Sequence, residues 1–285
     1  ERPNTKLKSL LPSEKHFNLC ADKFLFQQFC ERENFPVPRS YQKKDIPALK
    51  AAFRSVVLKP RSGEGSVGIR YLDSPEDLQQ LTDIDWSKYL LQDRIRTRRQ
   101  VAGAFFLCRG GVVIDAYTHQ RIRTFPAEGG VTVYSQSTYV EEIVDIGAAL
   151  LRALRWDGLA MIEFLYDEDE KEWRIVELNP RIWGSIMLSA FNGSSMLKHF
   201  VQASVGEEVG SHKQLRSCFI RWYYPFEILN WAKGALGLRS LLRLDADRTC
   251  YVNFTYAGAY RSLSYLLYFT LNFRSFRRFL KKLGL

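Results

Sequence analysis

Val176-Glu177-Leu178-Asn179-Pro180-Arg181, read with its upstream partner Met161-Ile162-Glu163-Phe164, decides how this chain of 285 residues is understood. Between the two lies the acidic run Asp167-Glu168-Asp169-Glu170, which marks a turn joining strands from Leu159 to Tyr166 and from Glu172 to Leu178. A turn centred near Asp169 predicts Glu163 opposite Glu177 and Met161 opposite Asn179. Side chains alternate along a strand, so Glu163, Glu177 and Asn179 share one face. Ile162, Phe164, Val176 and Leu178 take the other and belong in a core. Two opposed carboxylates repel unless a cation lies between them. Carboxylate and amide oxygens are hard ligands that suit Mg²⁺ or Mn²⁺. Arg181, two residues beyond Asn179, adds positive charge for a phosphate or a developing oxyanion. The plain alternative is a solvent-facing acidic hairpin. Against it, Glu163 sits among apolar residues, and unpaired carboxylates seldom occupy apolar strands.

Upstream stands a glycine-rich loop, Lys59-Pro60-Arg61-Ser62-Gly63-Glu64-Gly65-Ser66-Val67-Gly68. Gly63, Gly65 and Gly68 match G-x-G-x-x-G. The dinucleotide-binding form of that motif needs a helix after the loop. Here the strand Ser55 to Lys59 precedes it and the strand Ile69 to Leu72 follows. A strand–glycine–strand hairpin is a flap whose backbone N–H groups can close over phosphates, because glycine has no Cβ in the way. A protein kinase carries its lysine on the strand after such a loop. In this chain Lys59 precedes the loop and neither H-R-D nor D-F-G follows. Taken alone, the loop reads equally as an ordinary glycine hairpin.

The remaining segments fill in the class. Asp22 to Glu33 predicts an amphipathic helix, ended by Phe35-Pro36-Val37-Pro38. Ser74 and Pro75 predict a helix start. Tyr89 to Ile95 reads as a strand, as do Gln100 to Leu107 and Gly111 to His119, joined at Arg109-Gly110. Glu141 to Leu154 predicts a helix, and Ser185 to Val205 is mostly helical. Strands and helices mix without strict βαβ alternation, which gives the α+β class.

Composition narrows the options. Apolar residues make up 46% and charged residues 25%, which excludes wholesale disorder. No uncharged apolar run reaches the roughly 18–20 residues needed to span a bilayer. Five scattered cysteines, never in a C-x-x-C pair, argue against a disulfide framework or a zinc site and fit the reducing cytoplasm. The polar opening Glu1-Arg2-Pro3-Asn4 lacks an initiator Met and a signal peptide, as expected of a piece of a longer protein. Residues 1–210 hold 28 basic and 28 acidic side chains, whereas residues 211–285 hold 13 and 3, the whole of the net +10. The last stretch, Arg274-Ser275-Phe276-Arg277-Arg278-Phe279-Leu280-Lys281-Lys282-Leu283, predicts a basic amphipathic helix. Such a helix can pack on its own body, lie on the anionic inner face of a membrane, or meet a partner protein. Nucleic acid is disfavoured, because the main fold carries no basic excess.

These parts in this order resemble the ATP-grasp superfamily, and within it the branch of the carbamoyl-phosphate synthetase large subunit. The resemblance covers about residues 12–210. It rests on Asp22-Lys23, Phe35-Pro36-Val37-Pro38, Val57-Leu58-Lys59-Pro60, Leu90-Leu91-Gln92-Asp93, Met161 to Phe164, and Val176 to Arg181 continued by Ile182-Trp183-Gly184-Ser185. It implies ATP clasped between two α+β lobes, residues 1–92 with the flap and 93–210 with the metal site, followed by the basic extension 211–285. By that resemblance Lys23 and Lys59 contact ATP phosphates, and Gly63, Gly65 and Gly68 form the flap. Leu91, Gln92 and Asp93 fall on the hinge that pairs with adenine. Glu163, Glu177 and Asn179 hold magnesium, and Arg181 stands by the transferred phosphoryl group. Arg123, or Arg121 in its place, corresponds to a further basic residue near the γ-phosphate. The family often has a glutamate for the ribose where this chain has Gln100. Many members also carry a preceding α/β domain that this sequence starts too late to contain.

The activity implied is ligation. A carboxylate becomes an acyl phosphate at the expense of ATP, and an amine (or thiol) then attacks it. The substrates are therefore a small carboxylate and an amine, with ATP and Mg²⁺. Two other readings stand beside it: a non-catalytic ATP-binding module that regulates or tethers a partner, and a small-molecule kinase on the same fold. Trp183 is expected in the core, and His119 is expected to be structural or exposed.

Overall fold

A computed structural model of the chain describes residues 10–63, 67–97, 101–127, 130–209, 215–242 and 250–252. Gly65, Gln100 and the basic helix predicted over 274–283 lie outside the described residues. The described residues form two compact units. The first holds 10–63, 68–120 and 137–217; the second holds 67, 121–136 and 218–252.

The first unit opens with helix α1 (Glu14–Ala21), whose cap Ser13 accepts a hydrogen bond from the His16 amide. Helix α2 (Lys23–Arg32) follows at once, so the predicted Asp22 and Glu33 are its two caps. Strand β1 (Ser40–Tyr41), helix α3 (Ile46–Ala51), β2 (Val56–Pro60), β3 (Arg70–Leu72) and β4 (Tyr89–Asp93) come next. These strands make an antiparallel sheet in the order β1-β4-β2-β3. Val56, Leu58, Leu72 and Leu91 turn inward from it and pack with Leu49, Leu78 and Leu81. The helix expected after Ser74 is a 3₁₀ turn, Glu76–Leu81. Ser74 still serves it, because its hydroxyl accepts from the Asp77 amide and the Asp77 carboxylate accepts from the Asp73 and Ser74 amides.

A larger sheet is built from β5 (Ala102–Arg109), β6 (Val112–Phe125), β7 (Val131–Thr138), β8 (Gly158–Asp167) and β9 (Glu172–Asn179). Within the first unit β5 lies between β6 and β8, and β9 borders β8, all antiparallel. Helix α4 (Glu141–Ala153) covers one face. Ile143, Leu150 and Leu151 from the helix meet Ala104, Phe106, Ile162, Phe164, Ile175 and Leu178 from the strands, with Phe26 and Phe29 of α2. Each such side chain is fully or nearly buried, and each leucine, isoleucine or phenylalanine among them contributes about 1.5–3 kcal/mol on burial. Short helices α5 (Leu188–Phe191) and α6 (Met196–Ser204) complete the unit, which agrees with the helical reading of 185–205.

In the second unit β10 (Phe219–Arg221) pairs antiparallel with β7, Ile220 opposite Ser135, and parallel with β11 (Cys250–Val252). Helices α7 (Ile228–Ala232) and α8 (Leu238–Leu242) lie between β10 and β11 in sequence. Its organising group is Glu227, fully buried and gripped by Arg123 (2.9 and 2.8 Å) and Arg221 (2.8 Å). No helix among the described residues is long and apolar enough to cross a membrane.

Candidate active site

The first turn of α2 and the stem of the glycine loop are tied to each other. The Asp22 carboxylate accepts from the Phe24 and Leu25 amides at 2.9 and 3.2 Å, which caps the helix. The same carboxylate receives Arg61 Nε and Nη2, the closer at 2.7 Å. Burial pulls the Asp22 carboxyl upward, but Arg61 and the two amides hold it below the ordinary range. Arg61 also lies over the Phe24 ring at 4.6 Å and donates to the Ser87 carbonyl. The Lys23 amide donates to the Arg61 carbonyl, and Lys23 Nζ donates to the Gly63 carbonyl, both at 2.8 Å. Gly63 and Gly68 have φ of +124° and +78°, which only glycine adopts readily. A Cβ on Gly68 would also lie 3.0 Å from Pro60 Cγ.

Across from this stem stands the carboxylate hairpin, in the predicted register: Glu163 faces Glu177 and Met161 faces Asn179. One detail differs from the expectation. Phe164 pairs with Ile175, so Val176 is the extra residue of a β-bulge and has no partner on β8. Ile175, not Val176, therefore occupies the core, and Val176 is half-buried. The bulge keeps Glu177 and Asn179 on the face of Glu163 while Trp173 and Ile175 stay inside. Its carbonyl faces Lys59: the ammonium of this buried lysine lies 3.5 Å from the Val176 oxygen.

Charge in the cluster is balanced by the two lysines. Lys23 Nζ pairs with Glu177 Oε2 at 3.3 Å, and Asn179 Nδ2 donates to Glu177 Oε1 at 2.8 Å. Burial pushes the Glu177 carboxyl up, yet Lys23, Asn179 and Lys59 together bring it below its ordinary value. Burial pulls the Lys59 ammonium down to about 8, with Lys23 acting in the same sense and Glu177 and Glu163 opposing. At neutral pH Lys59 thus remains mostly charged, inside a wall that disfavours its charge.

The donor set fits a hard divalent cation. Two carboxylates face each other, and the Asn179 amide uses its nitrogen on Glu177, which leaves its oxygen available. No group of three or more His, Cys, Asp or Glu that could hold a metal occurs among the described residues. Mg²⁺ needs none: it is held by one or two carboxylates and completes its shell with phosphate oxygens and water.

The other expected residues are placed as follows. Leu91 and Gln92 lie in the middle of β4 and pair on both sides, with Tyr41 and Ser40 of β1 and with Leu58 and Val57 of β2. Their backbone groups are thus committed within the sheet. Gln92 is buried and its side chain donates to Gln27. The Asp93 amide donates to the Arg39 carbonyl, and its carboxylate accepts from the Tyr41 hydroxyl at 2.6 Å. The first amide past β4 with no acceptor among the described residues is that of Ile95, two positions beyond the expected hinge. Arg181 is exposed just past β9, with Nη1 on the Ile182 carbonyl. Arg121 and Arg123 belong to the second unit, where the Arg123 guanidinium is bonded to Glu227. Trp183 is buried and donates to the Tyr117 hydroxyl. His119 is buried beside Ser185.

Two features escaped the sequence reading. One is the Asp22–Arg61 clasp, signalled only by an N-cap aspartate and an arginine next to a glycine loop. The other is Gly103, which stands between Glu163 and His119 in one row across β8, β5 and β6. A Cβ there would lie 2.9 Å from the His119 ring. An isolated glycine inside a strand is the available signal for such a close approach.

A model of the ATP-grasp domain matches residues 20–185, more than half of the sequence, and the chain belongs to that family. Compared by sequence with curated proteins, the chain matches none. Among solved structures it is similar to the biotin carboxylase of Campylobacter jejuni in complex with β-γ-ATP, at 16% identity and a TM-score of 0.61 over 74% of this chain and 52% of that one. It is also similar to the biotin carboxylase domain of Hydrogenobacter thermophilus 2-oxoglutarate carboxylase, bound to magnesium ADP and bicarbonate. There the identity is 16% and the TM-score 0.59, over 74% and 51% of the two chains. For the N5-carboxyaminoimidazole ribonucleotide synthetase of Thermotoga maritima the values are 18%, 0.55, 73% and 55%. The chain spans about half the length of these proteins, and at such identities the likeness shows the fold.

Proposed function

We propose that this chain is the ATP-binding and phosphoryl-transferring part of a ligase that activates a small carboxylate as an acyl phosphate for attack by an amine or thiol. The observation that carries the reading is Glu177 held between Lys23 at 3.3 Å and Asn179 at 2.8 Å and directly opposite Glu163. Lys59 and Lys23 would lie against the triphosphate and offset its charge. Mg²⁺, held by Glu163, Glu177 and Asn179, would neutralise charge on the β- and γ-phosphates. The substrate carboxylate attacks the γ-phosphorus, ADP leaves, and Arg181 stabilises the phosphoryl oxygens during transfer. The amine then attacks the acyl carbon and releases phosphate. The glycine flap, anchored through Arg61 and Gly63, would exclude water so that the acyl phosphate reaches the amine. Neither step needs a nucleophile from the protein.

The reading includes the boundaries at 92/93 and 210/211 and a substrate site shaped in part by chain outside this sequence. An anionic membrane surface or a partner protein for the basic segment belongs to it too. Flotation with liposomes, with and without residues 250–285, tests that part. The main test is magnesium-dependent ATP turnover with a pool of amino acids and small carboxylates. ADP and phosphate release that depends on one added acid, with an amide product, supports the ligase. Phosphate transfer without an amide product marks a kinase, and ATP binding without turnover marks either a regulatory module or a piece that needs a further domain to complete its substrate site.

A further inference from the structure

In the second unit the connection between α7 and α8 is a tight tip that holds apolar groups outward. The Lys233, Gly234 and Ala235 amides donate back to the Leu229, Trp231 and Asn230 carbonyls at 3.0, 2.9 and 2.9 Å, which closes the end of α7. Gly234 has φ of +75°, as such a helix end requires. The inner side of the tip is fixed. Asn230 is buried and its Nδ2 donates to the Thr124 carbonyl at 2.9 Å, while Leu236 and Leu241 are buried. The outer side carries Trp231, 43% exposed, and Leu238, 52% exposed, together with exposed Lys233 and Arg239. Lys233 Nζ lies 5.3 Å from the centre of the Phe125 ring, which orders its stem.

Charge around the tip has one sign. Among its described residues the second unit has a single carboxylate, Glu227, against Arg121, Arg123, Arg221, Lys233 and Arg239. Glu227 is fully buried and held by Arg123 and Arg221, so it offsets nothing at the tip. Lys233 and Arg239 therefore have no carboxylate partner among the described residues. Later in the sequence, residues 250–285 add six basic side chains and no acidic one.

We infer that the α7–α8 tip docks on an anionic membrane surface through Trp231, Leu238, Lys233 and Arg239. The inference rests on the membrane reading of the basic segment, and it places the contact on this tip as well as on the helix predicted over 274–283. An indole is suited to the headgroup level of a bilayer, with its ring in apolar surroundings and its N–H wet. Lys233 and Arg239 meet lipid phosphates, and the absence of an exposed carboxylate removes the repulsion that would oppose them. A protein partner needs about 800 Å² from each side, far more than one indole and one leucine supply. Insertion of Trp231 and Leu238 provides a part of the binding that salt does not weaken, and the two cations provide a part that salt screens.

The test is flotation of the full chain with vesicles of phosphatidylcholine containing about 30% phosphatidylserine, and with phosphatidylcholine vesicles alone, at low and high salt. The proteins compared are the parent, Trp231→Ala/Leu238→Ser, Lys233→Gln/Arg239→Gln, and a tail variant with Arg277→Gln, Arg278→Gln, Lys281→Gln and Lys282→Gln. The parent is expected to prefer the anionic vesicles, and Trp231→Ala/Leu238→Ser to weaken that binding roughly tenfold or more. Lys233→Gln/Arg239→Gln is expected to weaken it at low salt and to flatten its salt dependence. If Trp231→Ala/Leu238→Ser fails to give a cooperative melt, Leu238→Ser alone supplies the comparison. Parent binding that persists in both tip variants and disappears in the tail variant overturns the proposal and leaves the membrane reading standing. A parent that binds neither vesicle, or both equally, overturns the two together. A lowered melting midpoint in Trp231→Ala/Leu238→Ser with unchanged flotation shows that protein covers the tip, and it too overturns the proposal.

Discussion

Lys59 Nζ lies 3.5 Å from the carbonyl oxygen of Val176, the one residue that the β9 bulge leaves without a cross-strand partner. A one-residue irregularity in a strand thereby supplies the acceptor for a buried ammonium. It does so without moving Glu177 or Asn179 off the face of Glu163. Bulges next to active sites commonly re-aim groups in this way.

That ammonium has a thermodynamic signature. Burial lowers Lys59 from its ordinary 10.5 to about 8. Below pH 8 the lysine is protonated in the folded and unfolded chain alike, and the folded state bears the cost of the buried charge. Between pH 8 and 10.5 the unfolded chain binds more protons, so stability rises with pH. The gap corresponds to roughly 3 kcal/mol. Lys59→Met should therefore be more stable than the parent at pH 7, and the advantage should shrink as pH approaches 10.5. Urea unfolding at pH 7, 9 and 10 reads this directly; parallel curves for the two proteins would contradict it.

The clasp between Asp22 and Arg61 should be separable into a helix part and a loop part. Asp22→Ala removes the α2 cap and the Arg61 partner together and should cost about 2 kcal/mol. Arg61→Ala leaves the cap intact, so its stability loss should be smaller, while the loop after Pro60 becomes more easily cut. Limited proteolysis mapped by mass spectrometry distinguishes the two, and unchanged cleavage in Arg61→Ala argues against a clasp on the loop.

Gly103 is expected to tolerate no side chain. Alanine would bring Cβ to 2.9 Å from the His119 ring and from Phe105 Cζ, inside a packed row that includes Glu163. Overpacking of this kind costs about 1–3 kcal/mol. A Gly103→Ala protein as stable as the parent would show that the row has room for a methyl group.

In the second unit, Glu227→Ala leaves Arg123 and Arg221 facing a buried void. Removing one member of a buried ionic group costs about 3–5 kcal/mol. Glu227→Gln keeps the hydrogen-bond acceptor and should lose less. Chemical denaturation of both variants checks the order, and an exposed, dispensable Glu227 would leave stability unchanged.

Much of the site could be read from the residues because it rests on local rules. Strand alternation and a single acidic turn predict that Glu163 faces Glu177, and the register follows. Asp22 reads as a helix start because an aspartate before an apolar run is a cap. Other parts depend on pairings that no local pattern encodes. The bulge at Val176 displaces one residue among apolar neighbours that all look alike. Strand β7 escaped notice because Ser135 and Ser137, which are buried, break its apolar alternation. Arg123 reads as a free cation in sequence, since its partner Glu227 is 104 residues away. Leu91 and Gln92 look like a hinge by resemblance, yet pairing on both sides makes them sheet interior.

The most direct measurement is magnesium-dependent ATP turnover by the parent chain and by Glu177→Gln, each with the same pool of small carboxylates and amines. Glu177 joins the lysines, the amide and the opposed carboxylate, so its charge is the centre of the account. The expected result is acid-dependent release of ADP and phosphate by the parent and none by Glu177→Gln, with the two proteins giving the same circular dichroism spectrum. Turnover that survives in Glu177→Gln contradicts the metal and phosphate assignment.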